Sequence, residues 1–203
     1  MGFDLFNMAT NHTTDYGVEG MFETMRLLDQ LNLVYAGVGM TAGEAAQARY
    51  LETPKGRIAL IGMATSFTPM SRASDPRPEV KGRPGLNALR ITQTNQLAPA
   101  QMADLRKLVQ ATGGTVPESE TQPVRFGGAT FVQGPENGTR ASLNTLDEAR
   151  ILRSVRNAAR QADHVIVYSH SHDISRGSLT TPAPEHLRSF IKKCLDAGAD
   201  AFA

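Results

Sequence analysis

This sequence of 203 residues has a single cysteine, no marked excess of positive or negative charge, and no long apolar run. Cys194 is the only cysteine, which excludes an internal disulfide, a redox pair and a cysteine-rich zinc site. It shares one face of a predicted helix with Leu187, Phe190 and Ile191. We therefore interpret Cys194 as a small core residue rather than a catalytic thiol.

The charges nearly cancel, because 21 Lys and Arg residues stand against 20 Asp and Glu residues. The protein therefore has no strong positive electrostatic field that would attract nucleic acid or an anionic membrane surface, and neither partner is expected. No apolar run approaches the ~18 residues of a membrane helix, and no basic segment precedes a hydrophobic stretch at the start. We expect a soluble chain without an export signal, folded as one domain over residues 1–203.

The most informative stretch is ATNHTTDYG, at residues 9–17. Apolar residues at the spacing of a half-buried strand precede it, and apolar residues at helical spacing follow it, which predicts a strand over 3–9 and a helix over 18–31. Asn11 and His12 then lie in a strand-to-helix turn, the place where open α/β sheets bind ligands.

An Asn oxygen and a His ring nitrogen can both ligate a metal or hold an anionic oxygen. The alternative is a turn in which Asn11 or Thr14 merely caps the helix. Asp15 has two interpretations as well: it orients a ligand, or it is a carboxylate stabilised by the helix dipole.

A second polar set follows HVIVYS, at residues 164–169, which is typical of a buried central strand. This strand delivers His170, His172 and Asp173 to its end. We expect the strands that end at 10 and 169 to lie close enough for Asn11 and His170 to converge. Such nitrogen and oxygen donors suit Zn, Mn or Fe.

The remaining elements are predicted from periodicity and turn residues. We expect a strand at 33–36, a helix-prone segment at 41–49, a hairpin of 50–52 with 57–64, a helix at 99–112, a hairpin at 125–138, a helix from a Thr145–Glu148 capping box to about Ala162, a last helix from Thr181–Pro182 to Gly198, and a strand from Ala199.

Residues 66–94 predict a long irregular loop, rich in proline and without sustained periodicity. Its basic residues either line a site for an anionic substrate or form a solvated surface. These residues are Arg72, Arg77, Lys81 and Arg83.

Residues 9–39 resemble the CapA family of capsule or poly-gamma-glutamate synthesis proteins. This run begins with the ATNHTTDYG stretch and continues to Gly39 as GVEGMFETMRLLDQLNLVYAGVG. Further matching segments are KGRIALIG at 55–62, GRPGLN at 82–87, DHVIVYSHSH at 163–172 and LDAGAD at 195–200. The resemblance implies an α/β fold of the calcineurin-like metallophosphoesterase type, with mixed β-sheet layers flanked by helices.

The resemblance also implies roles for the polar residues. Asn11 and His170 take the places of metal ligands, and His172 takes that of a second histidine in the later motif. His12 takes the place of the catalytic histidine that contacts the substrate phosphate. The implied cofactor is a divalent transition metal (Mn, Zn or Fe), dinuclear in full-length relatives.

Two parts of the family pattern are missing from this sequence: a first strand with acidic and histidine ligands, and a Gly-His-x-x-His motif followed by SLGNF. We therefore expect an incomplete domain, truncated at both ends, that hydrolyses phosphoesters weakly or not at all. The family implies an extracytoplasmic or membrane-associated location, although no anchor is expected in these residues.

The resemblance implies a metal-dependent hydrolase of capsule or poly-gamma-glutamate synthesis, acting on a polyanionic polymer or a phosphoester. A binding or assembly module that keeps the fold without a complete metal site is the alternative. A third hypothesis, nucleotide binding by the loop with Gly37 and Gly39, rests on a weak glycine pattern.

Overall fold

The computed structural model describes residues 2–172 and 183–203. The chain forms two compact units, a larger one of Met1–Arg90 and Leu143–Ala203 and a smaller one of Ile91–Ser142. The single domain expected from the chain length stays a prediction.

The described helices and strands follow one another along the chain. In the first half they are β1 (Leu5–Asn7), α1 (Gly17–Gln30), β2 (Val34–Ala36), β3 (Val38–Gly39), α2 (Ala42–Ala45), β4 (Arg49–Thr53), β5 (Gly56–Ala64), β6 (Gly85–Leu86) and β7 (Ile91–Leu97). In the second half they are α3 (Pro99–Ala111), β8 (Val124–Phe126), β9 (Ala129–Gln133), β10 (Gly138–Leu143), α4 (Thr145–Ala158), β11 (His164–His170), α5 (Glu185–Asp196) and β12 (Ala201–Phe202).

The main sheet of the larger unit has the order β12-β11-β5-β4. β11 is parallel to both β5 and β12, whereas β4 pairs antiparallel with β5, as the predicted hairpin requires. The register places His170 opposite Ala64, so β11 delivers its last residue to the end of the sheet where β5 also ends.

One face of this sheet packs against α4 and α5. Ile61 and Val167 of the sheet join Ile151, Phe190 and Cys194 of the helices in one buried cluster. Burial raises the pKa of the Cys194 thiol to about 12, and the charge of Glu148 adds to this shift. The interpretation of Cys194 as a core residue is therefore confirmed.

The opposite face packs against the two-stranded parallel sheet β1-β2. Gly62 permits this approach, because a Cβ there would lie 2.2 Å from Asn7 Oδ1 and 3.0 Å from the Ala36 oxygen. α1 covers these strands with Met21. The larger unit is thus layered helix, sheet, sheet, helix, and the predicted mixed α/β fold of the metallophosphoesterase-like class is confirmed.

Several predicted boundaries were wrong. Asn144, not Thr145, caps α4 by accepting from the Asp147 amide, while Glu148 pairs with Lys193 rather than completing a capping box. α4 ends at Ala158, and the helix predicted at 41–49 is limited to α2 because Arg49 already belongs to β4. The predicted start at Thr181–Pro182 lies outside the described residues.

The loop predicted at 66–94 is partly ordered into sheet. β6 pairs antiparallel with β3, and residues 91–94 belong to β7. Gly39 lies at this β3–β6 contact, and a Cβ there would lie 2.5 Å from the Ala45 amide nitrogen. Close backbone packing therefore accounts for Gly39 without a phosphate.

The smaller unit has a sheet of order β10-β7-β9-β8. A hairpin does form within the predicted 125–138 segment, but its turn lies at Gly127 and Gly128, both at positive φ, between the antiparallel strands β8 and β9. The turn predicted at 134–138 was wrong as a hairpin turn, because the strand that follows it, β10, pairs with β7 and not with β9. α3 buries Met102 and Val109 against Val124. Within the described residues of the whole chain, no helix combines the length and apolar character needed to span a membrane.

Candidate metal centre

The side chains of Asn11 and His170 meet at the ends of two strands. Asn11 lies in the turn between β1 and α1, and His170 is the last residue of β11. The distance from His170 Nε2 to Asn11 Oδ1 is 2.7 Å. The convergence predicted from the two strand ends is therefore confirmed.

The turn that carries Asn11 is fixed by hydrogen bonds on both sides. At the start of the turn, the Asn7 side chain accepts from the Ala9 amide at 3.2 Å and donates to the Ala9 oxygen at 2.8 Å. Thr13 Oγ1 accepts from the Thr10 amide at 2.8 Å. Thr14 Oγ1 lies 2.6 Å from the buried Ser71 Oγ. These contacts hold the turn in one conformation.

Four side chains form a continuous row of hydrogen bonds. His170 Nε2 donates to Asn11 Oδ1, because an amide oxygen can only accept. The Asn11 amide group lies 3.2 Å from His12 Nε2 and can only donate, so this ring nitrogen accepts. His12 Nδ1 then carries the proton and donates to Asp15 Oδ2 at 2.7 Å. The row therefore selects one neutral tautomer of His12.

Helix capping does not explain the polar residues of this turn. The N-cap residue of α1 is Tyr16, which makes no capping hydrogen bond through its side chain. Asn11 contacts His170 and His12 instead, and Thr14 contacts Ser71. The capping alternative is wrong, and Asp15 orients His12.

His170 and His172 lie side by side, with ring centroids 4.8 Å apart. The Thr65 amide donates to the His170 oxygen at 2.9 Å, and the His172 amide donates to Ser66 Oγ at 2.8 Å. Ser66 is a positioning contact that the sequence did not indicate. Burial lowers the pKa of His170, and the nearby His172 and His12 lower it further. His170 is thus neutral at pH 7, the form that ligates metals.

These residues fit part of a metal site. Asn11 Oδ1 and His170 Nε2 lie 2.7 Å apart, and an amide oxygen and an imidazole nitrogen that has lost its proton are ligands that suit a borderline transition metal. Among residues 2–172 and 183–203, no three or more His, Cys, Asp and Glu side chains are grouped so as to hold a metal ion. Asp173 lies outside the described residues. The three-ligand set of Asn11, His170 and His172 stays a prediction.

The basic residues of the 66–94 segment separate into two groups. Arg83 donates to the backbone oxygens of Pro69 and Arg72 and so supports the loop. Arg72 and Arg77 line a cavity, whereas Lys81 does not. Three further arginines line the same cavity and were missed from the sequence, since they lie in distant segments: Arg90, Arg150 and Arg153.

Comparison with known proteins decides the family. The family model described as "Bacterial capsule synthesis protein PGA_cap" matches residues 1–203. The chain belongs to this capsule synthesis family. The resemblance to CapA is thereby confirmed, and the capsule biosynthesis protein CapA of Bacillus anthracis is 30% identical over 77 residues, which cover 38% of this chain and 19% of that protein.

Two longer matches come from Sinorhizobium fredii (strain NBRC 101917 / NGR234). The uncharacterized proteins y4sH and y4uA are each 40% identical to this capsule synthesis family member over 203 residues, or 100% of the chain. The chain spans 44% of the length of each of these relatives.

Proposed function

We propose that the chain contributes to a metal-dependent phosphoester hydrolase that acts in the synthesis of a capsule polymer, with poly-gamma-glutamate as the polymer class. The observation that carries this proposal is the 2.7 Å approach of His170 Nε2 to Asn11 Oδ1, at the ends of two strands. Membership of the capsule synthesis family supports the process. The proposed place of action is outside the cytoplasmic membrane, where a capsule polymer is found.

Asn11 and His170 would hold a divalent Mn, Zn or Fe ion, with His172 as the neighbouring third ligand. When bound, the metal would polarise a phosphoryl oxygen and lower the pKa of a bound water. The neutral state of His170 supports ligation, since a protonated imidazole has no lone pair to give. The present His170–Asn11 hydrogen bond occupies the same atoms, so metal binding would have to replace it.

His12 would contact a phosphate oxygen of the substrate. Its side chain is 72% exposed, so a ligand can reach the ring. Asp15 Oδ2 accepts from Nδ1 and fixes the ring, which leaves Nε2 next to Asn11. Held in this orientation by Asp15, the ring would present Nε2 to a phosphate oxygen of the substrate.

A binding or assembly module is the second candidate function. One observation favours it: within residues 2–172 and 183–203, no three or more His, Cys, Asp and Glu side chains are grouped as metal ligands. Such a module would hold the polyanionic polymer or a partner protein and would not cleave phosphoesters.

Hydrolysis of a generic phosphodiester with added Mn²⁺ or Zn²⁺ separates the two functions. We expect the purified 203-residue chain to give weak, metal-stimulated turnover, at least tenfold lower in His12→Ala and His170→Ala. His164→Ala is the matched control, because His164 is an exposed residue at the other end of β11. A folded chain that shows no metal-stimulated turnover and binds no metal would overturn the hydrolase proposal, as would turnover that both site substitutions leave unchanged.

A further inference from the structure

The cavity of the larger unit that Arg72 and Arg77 line has a volume of about 360 Å³ and is rich in arginine. Its volume lies within the ~300–1,000 Å³ range of small-molecule sites. The segment after β5 and the first turns of α4 form its walls. The charged residues that line it are Arg72, Asp75, Arg77, Arg90, Asp147, Arg150 and Arg153.

The two acidic residues do not neutralise this cavity. The buried Asp147 carboxylate is shared between Arg90, whose Nε lies 2.6 Å away, and Arg150, whose Nη2 lies 3.1 Å away. Asp75 Oδ1 accepts from the Gly43 amide at 2.8 Å. Five arginines against two aspartates leave an excess of three positive charges.

The excess lies on the guanidinium groups of Arg72, Arg77 and Arg153. Within the described part of the chain, none of these three forms a hydrogen bond or an ion pair through its side chain. Burial lowers the pKa of Arg72, and the charge of Arg90 lowers it further although Asp147 opposes this. Arg72 is half-buried, whereas Arg77 and Arg153 are exposed. Like charges gathered around one cavity repel one another unless an anion compensates them.

We propose that this cavity binds a phosphate-type oxyanion of charge −2 or more, a phosphate monoester or pyrophosphate group, through Arg72, Arg77 and Arg153. A guanidinium fork matches the oxygens of a phosphate and forms charge-assisted hydrogen bonds with them. A single carboxylate carries one charge and two oxygens, so it would leave most of the excess uncompensated. The first turn of α4 adds the positive end of its dipole.

The proposed anion site goes beyond the hydrolase proposal and does not depend on a metal. Its residues are separate from Asn11, His12 and His170. The two sites are nevertheless linked, because the Ser71 hydroxyl contacts the Thr14 hydroxyl of the Asn11 turn and Ser71 is followed directly by Arg72. A ligand held at Arg72 is therefore anchored to the segment that supports the Asn11 turn.

Calorimetric titration with pyrophosphate, in metal-free buffer of fixed ionic strength, tests this proposal. We expect Arg77→Ala and Arg153→Ala each to weaken binding about tenfold, as loss of a charge-assisted hydrogen bond predicts. Arg156→Ala on α4 and Lys81→Ala in the loop are the matched controls, since both residues are exposed and lie outside the cavity lining. Both controls should bind within twofold of the wild-type chain.

The same titration carries the outcomes that would overturn the proposal. Absence of pyrophosphate binding to the wild-type chain would do so, as would equal weakening by the control substitutions. His170→Ala should leave binding unchanged, and loss of binding in this variant would assign the anion to the histidine site instead. Tighter binding of oligo-glutamate than of pyrophosphate would contradict the phosphate chemistry.

Discussion

His170 Nε2 lies 2.7 Å from Asn11 Oδ1, although 159 positions separate the two residues along the chain. The contact arises because β1 and β11 belong to two packed sheets whose strands end at the same edge of the larger unit. Asn11 lies in the turn after β1 and His170 is the last residue of β11, so the fold itself brings an amide oxygen and a ring nitrogen together.

The tautomer of His12 is the first testable consequence. In the wild-type chain we expect the neutral ring to carry its proton on Nδ1, because Asp15 accepts from Nδ1 and the Asn11 amide group donates to Nε2. Asp15→Ala should shift the population toward Nε2–H, the form that needs no acceptor at Nδ1. Nitrogen-15 chemical shifts of the ring report the two forms. Glu19→Ala in the first turn of α1 is the control, and an equal shift there would contradict the account.

The packing of the two sheets is tested at Gly62. Gly62→Ala would place a Cβ 2.2 Å from Asn7 Oδ1, so we expect a loss of ~1–3 kcal/mol in the free energy of unfolding. Gly43→Ala is the control, since its nearest contact would be an ordinary 3.5 Å to Asp75 Oδ1. Urea denaturation measures both, and equal stability of the two variants would be evidence against close sheet packing.

Because Asp147 is a buried carboxylate, the free energy of unfolding is expected to depend on pH in the acid range. Burial alone would raise its pKa, but hydrogen bonds from Arg90 and the charges of Arg150 and Arg90 outweigh burial and lower the pKa below its ordinary value. A lowered carboxyl pKa stabilises the fold above the unfolded-state pKa of ~3.9, and this stabilisation is lost as the pH falls through the lower folded-state pKa.

Asp147→Asn should therefore cost ~3–5 kcal/mol at pH 7, because Arg90 and Arg150 lose their counter-charge. The difference from the wild-type chain should shrink as the pH is lowered below about 4. Urea denaturation between pH 7 and pH 3 measures it. Asp196→Asn, in an exposed pair with Lys192, is the control and should change little. A stability difference that is independent of pH would rule out this role of Asp147.

The strand-turn-helix around Asn11 and the strand before His170 could be predicted from the sequence, because apolar periodicity marks the strands and the polar residues follow at once. The capping of α4 was mispredicted for a local reason. Thr145 and Glu148 have capping-box spacing, but the preceding residue, Asn144, is also a strong N-cap residue. Glu148 forms an ion pair with Lys193 of α5 instead of completing a capping box.

The arginine cavity could be predicted only in part. Arg72 and Arg77 lie in one basic segment, which suggested an anion site, but Arg90, Arg150 and Arg153 join them only through tertiary packing. No periodic pattern connects residues that far apart. Similarly, the hydroxyl of Ser66 reaches the His172 amide across 106 positions, and nothing in the local sequence indicates such a contact.

Metal affinity shows whether Asn11 and His170 form one metal site. Equilibrium dialysis of the purified chain against Mn²⁺ or Zn²⁺, followed by elemental analysis, measures bound metal in the wild type and in Asn11→Ala, His170→Ala and the control His164→Ala. We expect one bound ion in the wild type and in the control, and at least tenfold weaker binding in both site variants. Equal binding in all four proteins, or no binding in any of them, would contradict it.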